Sequence, residues 1–254
     1  MEQLIDTLII TQARLGSTRL PKKVMLKIEG EELLLTHLKQ LAKTQIPNQI
    51  IVATTTNETD NLIESKVKEW GFNCSRGSED DVLDRFYQAA KPIQPKWVVR
   101  VTSDCPLIDP TIVDAVITFA KMNDVDYCSN GIIEHFPDGQ DVEIFKFDAL
   151  EKAWKEANLT SEREHVTPYI RNNADMNNGE LFSAANLPSP ANYSDIRMTV
   201  DEPKDFELLT KLIGELGTNK TWLEYTNYII ENNLQEINKS IIRNEGYLKS
   251  IKND

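Results

Sequence analysis

The first 120 positions alternate between two hydrophobic rhythms. Three short apolar runs, LIIT at 8–11, QIIVAT at 49–54 and WVVRVT at 97–102, show no strict polar alternation, which is how strands buried on both faces read. The stretches between them repeat apolar residues at helical spacing. Leu34, Leu38 and Leu41 predict a helix over 31–42. Leu62, Ile63, Val67 and Trp70 predict one over 59–70, closed by Gly71. A short strand is expected at 72–74, then a helix over 80–90 with Val82, Leu83, Phe86 and Tyr87 inward. Asp109 and Pro110 open a further helix as N-cap and first helical residue, with Ile112, Val113, Val116, Ile117 and Ala120 on its buried face. Strand and helix in alternation predict right-handed βαβ units and a mostly parallel sheet covered on both sides. Ligands of such sheets bind beyond the carboxyl ends of the strands, here the loops after Thr11 and Thr102.

Past VDYC at 125–128 the rhythm changes. Strands are expected at 142–147, 181–187 and 196–200. Helices are expected at 148–157, at 161–172 (with Ser161 and Glu164 in capping-box spacing), at 203–216 and in the tail from Trp222. No linker, repeat or low-complexity stretch divides the chain. One domain over 1–254 is expected, with an extended region near 126–195.

Composition narrows the class. Of 254 residues, 40% are hydrophobic and 27% charged, an ordinary globular mix that excludes collagen-like, disordered and disulfide-scaffold chains. No apolar run of about 18 residues occurs, so no membrane span is expected. The opening MEQLIDTLIITQAR lacks a basic start and carries Glu2 and Asp6, so a leader is not expected and a cytoplasmic protein is. Cys74, Cys105 and Cys128 are widely spaced, without a CxxC pair, and are expected as buried thiols. A net charge of −12 disfavours nucleic acid as a partner. One segment runs against that average: QARLGSTRLPKKVMLKI, 12–28, holds Arg14, Arg19, Lys22, Lys23 and Lys27 and no acid.

A basic loop after a strand, with Gly16 and Ser17 allowing close backbone approach, is suited to phosphate oxygens, although a solvated surface loop has the same composition. It is neither a Walker A sequence nor a three-glycine dinucleotide fingerprint. RVTSDCP ends a strand at Asp104, and RMTVDEP repeats the plan at Asp201. Each aspartate is either a helix cap or one of a pair meeting on a divalent cation, for which magnesium takes one or two carboxylates plus substrate phosphates. FPDGQDVE places Asp141 and Glu143 on one strand face after the Asp138-Gly139 turn, and SEREHVTP carries Arg163 and His165, which capping does not explain.

Together these motifs resemble the cytidylyltransferases that make CMP-activated acidic sugars, the CMP-KDO and CMP-sialic acid synthetases, and most nearly their SpsF-like branch. ARLGSTRLPKK, RVTSDCPLIDP, FPDGQDVEIF, SEREHVTPYI and RMTVDEPKD stand in that branch's order across about 8–210. The resemblance implies a three-layer α/β fold of the Rossmann-like nucleotide-diphospho-sugar transferase kind. It implies a nucleotide-binding half at 1–125, an acceptor-sugar and dimerisation region at 126–195, a return to the sheet with C-terminal helices at 196–254, and a homodimer. It implies CTP and a sugar acceptor as partners and Mg2+ as cofactor, held by Asp104 and Asp201. Arg14, Arg19 and Lys23 would act on the triphosphate. Gln12, Ala13, Gly16, Ser17, Lys22, Arg76, Arg85, Thr102 and Ser103 would complete the nucleotide site. Asp138, Asp141, Glu143, Arg163 and His165 would meet the acceptor, with Arg163 as partner of an acceptor carboxylate. Two other readings stay open: a glycosyltransferase using a nucleotide-sugar donor, disfavoured because SDC offers one aspartate where a D-x-D is expected, and a non-catalytic nucleotide-binding protein.

Overall fold

The computed structural model describes residues 5–46 and 49–254. Residues 1–4, part of the basis for expecting no leader, lie outside the described residues. Strand β1 (Thr7–Gln12) precedes a small ladder of β2 (Lys27–Ile28) and β3 (Glu31–Glu32), then α1 (Leu33–Leu41), β4 (Gln49–Thr55), α2 (Asn61–Glu69), β5 (Asn73–Gly77), α3 (Val82–Ala90), β6 (Trp97–Thr102) and α4 (Pro110–Asn123). The chain continues through β7 (Tyr127–Ser129), β8 (Glu143–Lys146), α5 (Phe147–Glu156), α6 (Thr160–His165), α7 (Pro168–Asn172), β9 (Ala184–Asn186), α8 (Pro203–Leu216), α9 (Trp222–Glu231) and α10 (Glu245–Ile251).

The main sheet has seven strands in the order β5-β4-β1-β6-β8-β7-β9. β1 lies between β4 and β6, parallel to both, with Ile9 opposite Ile50 and Val99. Only β8 runs against its neighbours, β6 and β7. The lack of alternation in β1 follows from its two dry faces. Leu8 and Ile10 pack with Phe86 of α3 and Leu150 of α5, whereas Ile9 packs with Val113 and Ile117 of α4. Val52 of β4 joins that second side, against Leu34, Leu38, Ile63 and Val67 of α1 and α2. The expected three-layer, mostly parallel architecture is the observed one. Among the described residues, no helix is long and apolar enough to cross a membrane.

Three local expectations are corrected. Residues 196–200 are not a strand of the sheet. They run between two loops, with Met198 N–H donating to Asp138 O at 2.7 Å and Val200 N–H to Asp104 O at 2.8 Å. A Cβ on Gly139 (φ +101°) would lie 2.8 Å from backbone atoms of Met198 and Thr199, so this close approach requires glycine. Second, the helix expected at 161–172 is two helices. Buried Val166 sits between them at φ 72°, an unfavourable conformation for a β-branched residue, and Pro168 starts the second. Glu162, not Glu164, caps α6, its Oε2 accepting from the N–H groups of Asn158 and Leu159, while Ser161 and Glu164 bond the C-terminal residues Asp254 and Ser250. Third, the strand expected at 181–187 shrinks to β9. Cys105 and Cys128 are buried as expected, and Cys74 is only half-buried.

Candidate active site

The basic loop is pinned by its apolar residues, which leaves its polar atoms facing outward. Ala13 N–H donates to Ala53 O at 3.1 Å, and Leu15 is buried with its N–H donating to the Asp60 carboxylate at 2.9 Å. Gly16 and Ser17 lie at the rim, where a Cβ on Gly16 would come 3.3 Å from the Glu79 carboxylate that Arg14 pairs with. Lys22 adopts φ 56° and turns the chain so that its own side chain is exposed while Lys23 points inward.

Lys23 is the centre of the arrangement. Its Nζ lies 2.7 Å from Asp104 Oδ2 and 2.7 Å from Asp201 Oδ1, joining residues 178 positions apart. Arg19 stands 3.3 Å from the same Asp201 oxygen. Asp104 follows β6 in a turn tied to β1 by Ser103 Oγ, which donates to Gln12 O at 2.6 Å. Buried His37 lies beneath, bonded to Thr11 Oγ1 at 3.0 Å and Cys105 O at 2.8 Å. Helix capping does not account for Asp201. The α8 N-terminus is served by Asp205, whose Oδ2 accepts from the N–H groups of Asp201 and Glu202 at 3.0 and 3.1 Å. Burial opposes the charge on both Lys23 and Asp104, yet their mutual attraction wins. Asp104 is held well below the usual carboxylate range, and Lys23, helped by Asp201, lies above the ordinary lysine value.

Two cavities meet at this pair, of about 580 and 310 Å3, and Gln12, Arg19, Thr102, Asp104, His165 and Asp201 line both. The larger is also lined by Ala13, Arg14, Gly16, Ser17, Lys23 and Ser103. Arg85 forms part of its wall, with Nη1 donating to Ser78 O and Nε buried without a partner; burial and then Arg14 bring its pKa down to about 10. The smaller cavity is lined by Asp138, Asp141 and Glu143. His165 is bonded to Ser250 Oγ at 3.0 Å and stays neutral, burial and then Arg100 lowering its pKa to about 4.

Three predicted residues point elsewhere. Lys22 lines neither cavity. Arg76 is used in tying loops, donating to Thr55 O and Asn57 O at 2.8 Å and pairing with Glu64 at 2.9 Å. Arg163 is turned onto Asp81 and the Trp154 carbonyl. The acids of the small cavity are also less available than expected. Asp138 is gripped by Arg197, Asp141 by Arg243 at 2.7 Å, and Glu143 by Arg100 and by the hydroxyls of Tyr127 and Thr167 at 2.6 Å. Sequence reasoning missed Arg171, Glu245 and Tyr247, which line the smaller cavity, and Arg243, which pairs with Asp141. Arg171 stands one residue past the PYI motif, and the others sit in a polar tail whose return to the site has no local signal.

Comparison with known proteins agrees with this geometry. The chain matches the cytidylyltransferase family model over residues 8–241. It is 42% identical over 205 residues to an uncharacterized protein of Methanocaldococcus jannaschii, covering 80% of this chain and 81% of that one. It is 33% identical over 222 residues to the spore coat polysaccharide biosynthesis protein SpsF of Bacillus subtilis, covering 84% and 88%. A solved cytidylyltransferase from Leptospira borgpetersenii superposes with a TM-score of 0.86 at 31% identity, covering 94% of this chain and all of that one. A basic loop after the first strand, two aspartates brought together from the ends of distant segments and a match across nearly the whole chain thus place this protein in the cytidylyltransferase family, as a nucleotidyltransferase enzyme.

Proposed function

We propose that the protein transfers the cytidylyl group of CTP to a sugar and releases pyrophosphate. The observation that carries the proposal is the meeting of Lys23, Asp104 and Asp201 where the two cavities join. In that arrangement the triphosphate occupies the larger cavity and the sugar the smaller. A sugar hydroxyl attacks the α-phosphorus in line, the new O–P bond forms, and the bond to pyrophosphate breaks. Such transfer needs positioning and charge neutralisation more than covalent help. Arg14, Arg19 and Lys23, with the turn amides near Gly16 and Ser17, neutralise the departing pyrophosphate. Arg85 lines the same space and adds a further positive charge.

The residues fit a magnesium ion. Asp104 and Asp201 each aim an oxygen at one point, where Lys23 Nζ now supplies the positive charge, and two carboxylates completed by phosphate oxygens are a donor set magnesium accepts. Bound by those two aspartates, it would neutralise phosphate charge and orient the reacting groups. The likeness to a polysaccharide biosynthesis protein supports a sugar as acceptor.

The test is a pyrophosphate-release screen of CTP, UTP, ATP and GTP against acidic and amino sugars with magnesium. Pyrophosphate formed from CTP in the presence of a sugar is the expected result. Release of a nucleoside diphosphate from a nucleotide-sugar would favour the glycosyltransferase reading, and CTP binding without turnover the non-catalytic one.

A further inference from the structure

We infer that His37, which lines neither cavity, is a positioning residue: it fixes Asp104 against Lys23 and so presets the carboxylate pair for its cation. The inference rests on the proposed magnesium role of Asp104 and Asp201.

Helix α1 buries Leu34, Leu38 and Leu41 as its apolar stripe, and His37 stands fully buried inside that stripe. A leucine would complete the stripe. A polar ring there costs stability unless both nitrogens are satisfied, and both are. Nδ1 lies 2.8 Å from Cys105 O, an atom that can only accept, so Nδ1 carries the hydrogen. Nε2 then accepts from the Thr11 hydroxyl at 3.0 Å, on a side chain that is equally buried. Burial keeps the ring neutral, its pKa lowered to about 4, so one tautomer holds both bonds near neutral pH.

The two bonds reach the site from different sides. Cys105 follows Asp104, and Thr11 precedes Gln12, where the basic loop begins. α1 is also the platform of Lys23. Val24, the next residue, packs in one apolar cluster with Leu34 and Leu38, and Leu33 N–H donates to Leu26 O at 2.9 Å. His37 therefore ties the floor under Lys23 to the turn that carries Asp104. Three other bonds fasten that turn. Cys105 N–H donates to Thr102 O at 3.2 Å, Ser103 Oγ to Gln12 O at 2.6 Å, and Val200 N–H to Asp104 O at 2.8 Å. None of these three reaches α1. The Asp104–Lys23 distance is thus set from the α1 side through one imidazole.

The test separates the two ring nitrogens. The amide of asparagine reaches the place of Nδ1, and that of glutamine the place of Nε2. His37→Asn keeps a donor for Cys105 O and loses the Thr11 bond. His37→Gln keeps a partner for Thr11 and loses the Cys105 bond. Mn2+, as a probe for magnesium, is titrated into each full chain with CTP and followed by electron paramagnetic resonance, with urea midpoints measured alongside. His37→Gln should weaken Mn2+ binding about tenfold, as lost outer contacts of metal ligands do, and lower kcat by a similar factor with the sugar the wild type accepts. The KM for CTP at saturating magnesium should not follow. His37→Asn leaves the larger void and should have the lower urea midpoint, yet should hold Mn2+ nearly as the wild type does. Wild-type Mn2+ affinity in His37→Gln overturns the inference, as does an equal or greater loss of affinity in His37→Asn. If His37→Gln does not fold, His37→Asn decides alone: retained Mn2+ affinity supports the bridge to Cys105, and a loss overturns it. A wild-type chain that takes up no Mn2+ with CTP removes the metal reading and this inference with it. Absence of pyrophosphate with every sugar sinks the cytidylyl transfer and leaves the Mn2+ comparison standing.

Discussion

The two sides of the site are built on different plans. On the side proposed for the nucleotide, one contiguous loop of the parallel β1–β4–β6 core presents the cations, and the Arg14–Glu79 pair is partly open, with 44% and 36% side-chain exposure. On the side proposed for the acceptor, where β8 runs antiparallel, charges are paired across long stretches of chain, most tightly around Arg197. Arg197 meets Asp138 from 59 positions off, Arg243 meets Asp141 from 102 off, and the Arg197 side chain, paired with three aspartates, is only 8% exposed. The first plan leaves charge available to a ligand. The second spends charge on holding the scaffold.

The largest effect should come from attacking the second plan. Arg197→Met strands Asp138, Asp201 and the fully buried Asp205 without their shared cation. Uncompensated buried charge costs about 3–5 kcal/mol, and urea unfolding should register a loss of that size. Arg14→Ala on the open side should cost at most about 1 kcal/mol of stability. Equal losses would abolish the distinction between the two sides.

Next in size is the junction itself. Asp104→Asn should cut the rate of pyrophosphate release by about a hundredfold or more, as lost charge stabilisation in preorganised sites does. The double variant Asp104→Asn/Asp201→Asn should be little worse, because groups acting as one unit do not add. Lys23→Ala should approach the same loss, whereas its exposed neighbour Lys22→Ala should stay within about twofold. Unaltered turnover in Asp104→Asn at saturating magnesium would remove the pair from the reaction.

The same division sets what the sequence revealed. β1, β4 and β6 were legible because a strand dry on both faces needs an unbroken apolar run, and Leu8, Ile9 and Ile10 supply it. The loop at 12–23 was legible because its cations are adjacent in the chain. Residues 196–200 were misread because Met198 and Val200 are buried against α8, which gives strand-like alternation to a segment held by two loops. The direction of Arg163 was not legible because nothing local shows that Asp81, 82 positions away, pairs with it. The tail residues Glu245 and Tyr247 carry a helix signal only, and contact across the whole fold has no periodicity to read.

Acid should probe both sides at once. Burial first, then Arg100, lowers His165 to about 4; Glu143, Glu164 and Arg171 also face it, and Tyr247 packs against its edge. His37 on the parallel side is lowered to about 4 by burial, against the pull of the Cys105 carbonyl and Asp104. Both are more readily protonated when unfolded. Their contribution is therefore complete above the ordinary histidine pKa of about 6.5 and is lost as pH falls toward 4, with a slope of up to about 1.4 kcal/mol per pH unit for each. Unfolding free energies measured across that window should flatten in His165→Gln, which keeps a polar group for Ser250, and flatten separately in His37→Gln. A slope unchanged in both variants would place the acid sensitivity elsewhere.

The smallest effect sharpens the contrast most directly, because it concerns an arginine that could have faced the proposed sugar. Arg163 sits on α6, just before the turn at Val166. Arg163 instead bonds Asp81, the residue that caps α3 by accepting from Asp84 N–H at 2.8 Å, and it also donates to Trp154 O at 2.8 Å. It joins α6 to α3 and α5, half-shielded from solvent. Arg163→Gln should therefore lower stability by about 1–2 kcal/mol, the worth of a charge-assisted contact that is partly screened. Asp81 keeps its capping bond, so α3 should retain its start. The KM for the proposed sugar acceptor should not move. A rise in KM in the Arg163 variant, without the loss in urea midpoint, would return Arg163 to the acceptor and make the paired side of the site as open to ligand as the nucleotide side.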